Sequence, residues 1–221
     1  MTNRIRLTDR IRLTYAFDAY CGWCYGLGPA LRQFADDNAD RIDIDLRVLS
    51  GGLFSGPRAL PVAAYPHIPA ANQRIAAATG VTFGEGYQHA LAKGDVVMDS
   101  TDAATGLVAL RRQAPGRILE LASALQRAWY IDGHSLSDLD VYRSIAAGHG
   151  FDVNAVAEAF LDPATRAEAE GGFRELRRLG VDAYPTLLLH TPTGTHRLGG
   201  PLSSALQLTQ AVDRHMAPTS A

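Results

Sequence analysis

Between residues 11 and 17 the apolar side chains Leu13, Tyr15 and Phe17 alternate with Arg12, Thr14 and Ala16, the two-residue period of a strand. Residues 28–38 place Leu31, Phe34 and Ala35 on one face of a helix. The segment 42–48, Ile-Asp-Ile-Asp-Leu-Arg-Val, alternates apolar and charged positions without a break, and Gly51-Gly52 ends it. The chain up to Gly52 therefore predicts a β–α–β unit with parallel strands and a right-handed crossover.

From Pro57 onward the pattern changes. Residues 57–69 are Pro-rich and read as irregular, and short helices are expected over 72–79 and 101–113. A stronger one covers 118–131, with Ile118, Ala122, Leu125 and Trp129 on one stripe. Ser137 is the expected cap of a helix over 139–147, and Asn154 that of one over 155–161. Asp162-Pro163 opens a last helix that Gly180 closes. No strand pattern interrupts this stretch. Strand character returns at 185–190, turns at 191–195, comes back as an edge strand at 196–198, and gives way to a closing helix over 203–215. The chain thus divides into 11–56, an all-helical insertion over 57–180, and 181–217.

Composition narrows the function. The 221 residues carry a net charge of −2, which argues against nucleic-acid and anionic-membrane partners. Before Phe17, Arg4, Arg6, Arg10 and Arg12 interrupt every run that could serve as a signal peptide, and no stretch approaches a membrane span, so a cytoplasmic location is expected. The repeat of Arg4–Thr8 as Arg10–Thr14 has no functional reading. The seven histidines show no ligand spacing; His190 and His196 are expected to face each other across the hairpin, and no metal site is expected. Glycine fingerprints for nucleotides and a Gly-x-Ser-x-Gly elbow are missing.

The two cysteines stand as Cys21-Gly22-Trp23-Cys24, too few for a disulfide scaffold or a four-cysteine zinc site. Placed where a strand hands over to a helix, Cys21 sits among unpaired N–H groups at the positive end of the helix dipole, which favours an anion by about 0.3–1 kcal/mol. The pair is a redox-active dithiol, a metal site or an inert coincidence; in the redox reading, Cys21 is the nucleophile. Cys24, one turn on, is the resolving thiol that attacks the mixed disulfide. Neither Gly22 nor Trp23 supplies a cation; Gly22 serves the motif's backbone, and Trp23 is a candidate for substrate contact.

Asp18-Ala-Tyr-Cys-Gly-Trp-Cys-Tyr-Gly26, taken with Ala183-Tyr184-Pro185-Thr186, resembles the thioredoxin superfamily in its DsbA-like branch. The resemblance implies an α/β thioredoxin-like fold (βαβ…ββα) carrying a large helical insertion. It also implies a cis-proline at Pro185 facing the cysteines, and leaves the backbone of Tyr184 free to pair with an extended substrate. Asp99–Ala103 and Leu125–Gly133 are similar to insertion motifs of the cytoplasmic, FrnE-like disulfide-isomerase subgroup. The family often has an acidic residue six positions before the first cysteine; here that position is Tyr15, and no role is assigned to the nearby Asp18.

The expected function is thiol–disulfide exchange on protein or small-molecule disulfides, as reductase or isomerase, without a bound cofactor and with glutathione or another thiol as co-substrate. Trp23 in place of the periplasmic oxidase's histidine implies a more reducing couple. Two alternatives remain: a glutathione-dependent isomerase or transferase like the kappa-type cousins, which carry serine where Cys21 stands, and a non-enzymatic redox-sensing binding protein. Nothing in the sequence fixes an oligomeric state.

Overall fold

The computed structural model describes residues 12–39, 45–192 and 194–216. Strand β1 (Arg12–Phe17) is followed by helix α1 (Gly22–Asp37) and strand β2 (Asp45–Ser50), which pairs in parallel with β1 from Arg12 opposite Asp45 to Phe17 opposite Ser50. The expected start of β2 at 42–44 and most of the Arg4–Thr14 repeat lie outside the described residues.

Helix α1 begins at Gly22, directly after Cys21 as the placement of the dithiol expects, and six residues before the apolar stripe. Gly22 and Gly26 are points of close approach. A Cβ on Gly22 would stand 2.7 Å from Ile75 Cδ1, and one on Gly26 3.0 Å from Thr79 Cγ2. Both neighbours belong to α2 (Ile68–Thr79), so bare backbone here lets α2 press against the first turns of α1.

Between β2 and the return of the sheet comes the helical insertion. It is not free of strands: β3 (Leu60–Pro61) and β4 (Val97–Met98) pair antiparallel, with α2 and α3 (Glu85–Lys93) between them. Helix α3 went unread because Gly84 and Gly86 suggest a loop. Those glycines let the chain lie against the backbone of Ile131 and Asp132, where a Cβ on either would come within 2.3 Å of a carbonyl oxygen.

Helices α4 (Ser100–Gln113), α5 (Ile118–Tyr130), α6 (Leu139–Gly148), α7 (Val153–Leu161) and α8 (Pro163–Arg178) complete the insertion. Four of them start on an aspartate: Asp99, Asp138, Asp152 and Asp162 each accept a backbone N–H of the first turn. Asp138 and Asp152 thus replace the expected caps. Ser137 lies in the preceding turn with its N–H on Ser135 Oγ, and Asn154 is already helical and donates its own N–H to Asp152.

The chain re-enters the sheet as β5 (Thr186–Thr191) and β6 (Gly194–Leu198), then closes with α9 (Ala205–Met216). Strand order is β2-β1-β5-β6, with β5 antiparallel to β1 and to β6. His190 lies opposite Thr195 and His196 opposite Leu189, so the two histidines are not cross-strand partners. His190 instead bonds Thr14 and Thr195, while His196 stacks on His215 at 4.2 Å.

Both faces of β1 are covered. Leu13, Tyr15 and Phe17 enter the main core with Leu31 and Phe34 of α1, whereas Ala16 packs with Leu49, Leu188 and Leu176 of α8. Helix α8 therefore serves two layers: Ala169 and Phe173 pack on Ala104 and Val108 of α4, and Leu176 packs on the sheet. The architecture is an α/β thioredoxin fold with a helical insertion between β2 and β5.

Packing is tight where α4 meets α6: a Cβ on Gly106 would fall 1.8 Å from the Tyr142 ring. Gly106→Ala should lower unfolding free energy in a urea titration by about 1–3 kcal/mol, although helix propensity favours alanine. At Gly116, where an added Cβ meets nothing within 4 Å, the same change should stay within about 0.5 kcal/mol.

Candidate functional site

The site forms where the C-terminal end of β1, the N-terminus of α1 and the start of β5 come together. The register Ala16 opposite Thr186 brings the residues before β5 level with those after β1. Cys21 is the N-cap of α1, in extended backbone, and its Sγ accepts the N–H of Cys24 at 3.3 Å. Across the gap, 163 residues away in sequence, the Tyr184 carbonyl accepts the Cys21 thiol at 3.5 Å. The Tyr184–Pro185 peptide is cis. Cys21, Cys24, Tyr184 and Pro185 are thus gathered in one place, with both cysteines as free thiols.

The two thiols differ in access and in chemistry. Cys21 retains 6% exposure, whereas Cys24 is at 0%. Burial pushes the Cys24 thiol well above its usual range, and the hydrogen bond and charge of Cys21 add to that. A thiol held in this way is no target for a passing oxidant.

The remaining motif residues are arranged for packing. Gly22 lies under Ile75, and Trp23 is half-buried against the core. Tyr25 stacks on Tyr130 at 4.6 Å and donates its hydroxyl to the Thr82 carbonyl. Tyr15, six positions before Cys21, is a buried phenol whose pKa desolvation pushes up. Its hydroxyl points at the Cys24 carbonyl at 3.5 Å, and a phenol so placed keeps its proton.

Asp18, left without a role by the sequence, holds the site's loops. Its backbone carbonyl accepts the Cys21 N–H at 3.0 Å. Its carboxyl accepts the N–H of Tyr20 at 3.0 Å and of Leu53 at 2.8 Å, and also bonds the Gly52 backbone and the Ser100 side chain. Burial raises its pKa, opposed by those bonds. The backbone donors leave the carboxyl only acceptor roles, the pattern suited to the ionised form. Its charge in turn contributes to the rise at Cys24.

Tyr184 is fixed from the other side. Its hydroxyl donates to the Gly51 carbonyl at 2.9 Å, and Gly51 donates to the Phe17 carbonyl at 2.8 Å. A Cβ on Gly51 would lie 1.9 Å from the Tyr184 ring, so only glycine admits the ring here. The sequence offered Gly51-Gly52 merely as a strand end.

The model of the DSBA-like thioredoxin domain matches residues 12–198. Comparison with curated proteins returns no match. Among solved structures, a cytosolic disulfide reductase, DsbM, from Pseudomonas aeruginosa is similar at 28% identity and TM-score 0.73, covering 91% of this chain and 94% of its own. The same reductase with GSH superposes at TM-score 0.70. A Nitrosomonas europaea protein provisionally assigned as a protein disulfide isomerase shares the fold at 18% identity and TM-score 0.80, covering 96% and 100% of the two chains.

The raised Cys24 thiol has a pH signature. The folded state keeps this proton where the unfolded chain releases it. The stability linked to it is therefore full below the unfolded thiol's pKa of about 8.5 and declines above it by up to about 1.4 kcal/mol per pH unit. Urea midpoints of the reduced protein should fall between about pH 8.5 and 10 more steeply than those of Cys24→Ala. Parallel curves would remove the account given of this thiol.

Proposed function

The chain belongs to the DSBA-like thioredoxin-domain family, and from that premise we propose that it is a thiol–disulfide oxidoreductase of the cytoplasmic, FrnE-like subgroup, working as a reductase or isomerase. The observation that carries the reading is the asymmetric pair itself: Cys21 at a helix N-cap facing the Tyr184 carbonyl, with Cys24 sealed beneath it. The Cys21 thiolate attacks one sulfur of a substrate disulfide, forming a mixed disulfide and releasing the other sulfur as a thiolate. Cys24 then loses its proton and attacks Cys21 Sγ, which releases the second substrate thiolate and leaves the Cys21–Cys24 disulfide. Two equivalents of an external thiol return the pair to the dithiol.

Tyr184 and Pro185 are the proposed substrate-binding edge, where an extended peptide adds to the backbone beside Cys21. Trp23, half-buried next to the nucleophile, is the proposed apolar contact. Arg58 donates to the Gly52 carbonyl at 3.1 Å, next to the Gly51 carbonyl that holds Tyr184. The Tyr184 phenol feels the charge of Asp18 and, opposing it, those of Arg177 and Arg58. Arginines near this edge suit a thiol bearing carboxylates, which supports glutathione as the external reductant. The similar Pseudomonas reductase has been solved with GSH. A cytoplasmic location fits that reductant, and among the described residues no helix is long and apolar enough to cross a membrane.

Insulin reduction with glutathione should be abolished by Cys21→Ser, while Cys24→Ser should accumulate a glutathione adduct on Cys21, read by intact-mass spectrometry. Turnover that survives Cys24→Ser undiminished would favour a glutathione-dependent isomerase or transferase instead. Because no cation sits between the cysteines, a glutathione redox titration should place the couple below about −180 mV; a midpoint near about −120 mV, that of the periplasmic oxidase, would overturn the reductase reading.

A further inference from the structure

A cleft of about 540 Å³ opens on the flank of α1, between that helix, the chain leaving α2 and one side of α5. Arg32 comes to it from α1, and Arg127, Ser123 and Gln126 from α5. No acidic side chain lines it. Arg32 donates to Ser123 Oγ at 2.6 Å, and among the described residues neither Arg32 nor Arg127 has a carboxylate partner.

Two solvated arginines would need no explanation, but Gln126 does. It is 4% exposed, on a helix whose other inward positions are Leu121, Ala122, Leu125 and Trp129. Its Nε2 is buried without a hydrogen-bond partner. Buried amide donors are rarely left so, and one on a residue that lines a cleft with two arginines calls for an acceptor. Both arginines line the one cleft, with Tyr25 in its wall. Guanidinium forks fit planar or tetrahedral oxyanions, and the volume is that of a small-molecule site.

We propose that this cleft binds a small molecule through a carboxylate or phosphate group, held between Arg32 and Arg127 with the Gln126 amide as a third donor. The site is separate from the dithiol yet adjoins it, because Tyr25, which follows Cys24, forms part of its wall.

Thermal unfolding of the reduced full chain, followed at constant ionic strength against inorganic phosphate and against succinate, tests the proposal. At least one should raise the midpoint saturably. A response to phosphate alone marks a phosphorylated ligand; a response to succinate alone marks a carboxylate. The double variant Arg32→Gln/Arg127→Gln should weaken the apparent affinity at least tenfold, and Gln126→Leu several-fold. Arg143→Gln, which removes an exposed guanidinium on α6, should titrate like the unaltered chain. The proposal falls if neither anion gives saturable stabilisation, or if the double variant or Arg143→Gln behaves as the other is expected to.

Discussion

A carboxyl group with no exposed surface persists only when its oxygens are supplied with donors, and Asp18 draws its donors from three separate stretches of chain. Tyr20 belongs to the turn before Cys21, Gly52 and Leu53 to the chain just past β2, and Ser100 to the first turn of α4. Ser100 is itself bonded to Phe54 through both its backbone N–H and its side chain. One buried group therefore ties the sheet, the CxxC turn and the helical insertion together. Losing it would leave several backbone donors without an acceptor, each costing about 1–3 kcal/mol.

The opposite wall is built by exclusion rather than attraction. The Tyr184 ring occupies the space that a side chain at Gly51 would fill, and its hydroxyl closes on the carbonyl of that same glycine. Gly52 meets the Phe173 ring of α8 in a similar way. Two aromatic rings from distant parts of the chain thus set where the β2 end runs, and so where the Tyr184 carbonyl stands relative to Cys21. Helix α8 adds rigidity, because it packs on α4 at one end and on the sheet at the other.

Much of this was legible in the sequence, for reasons that can be named. Alternation over 12–17 and the run 185–190 found the central strands because one strongly apolar face shows through. The cysteine spacing after a strand found the thiols. What was missed depends on tertiary partners. The glycines at the start of α3 look like a break until the chain that crosses them is seen. The two-residue pairing of β3 with β4 is too short to leave a period. Asp18 carries no local mark, since its donors lie up to 82 residues further along. The caps were misplaced by a residue or two because serine, asparagine and aspartate all qualify by type, and only the backbone says which one stands at the boundary.

The unequal burial of the two cysteines has a stereochemical consequence. On the proposed chemistry a diffusing partner meets Cys21 first, because Cys24 has no surface to offer. Every covalent complex is then of one isomer, with the partner's sulfur seated beside the Tyr184 carbonyl and never beneath the helix. The pair works as a ratchet, opened to each visitor from one side and closed from the other.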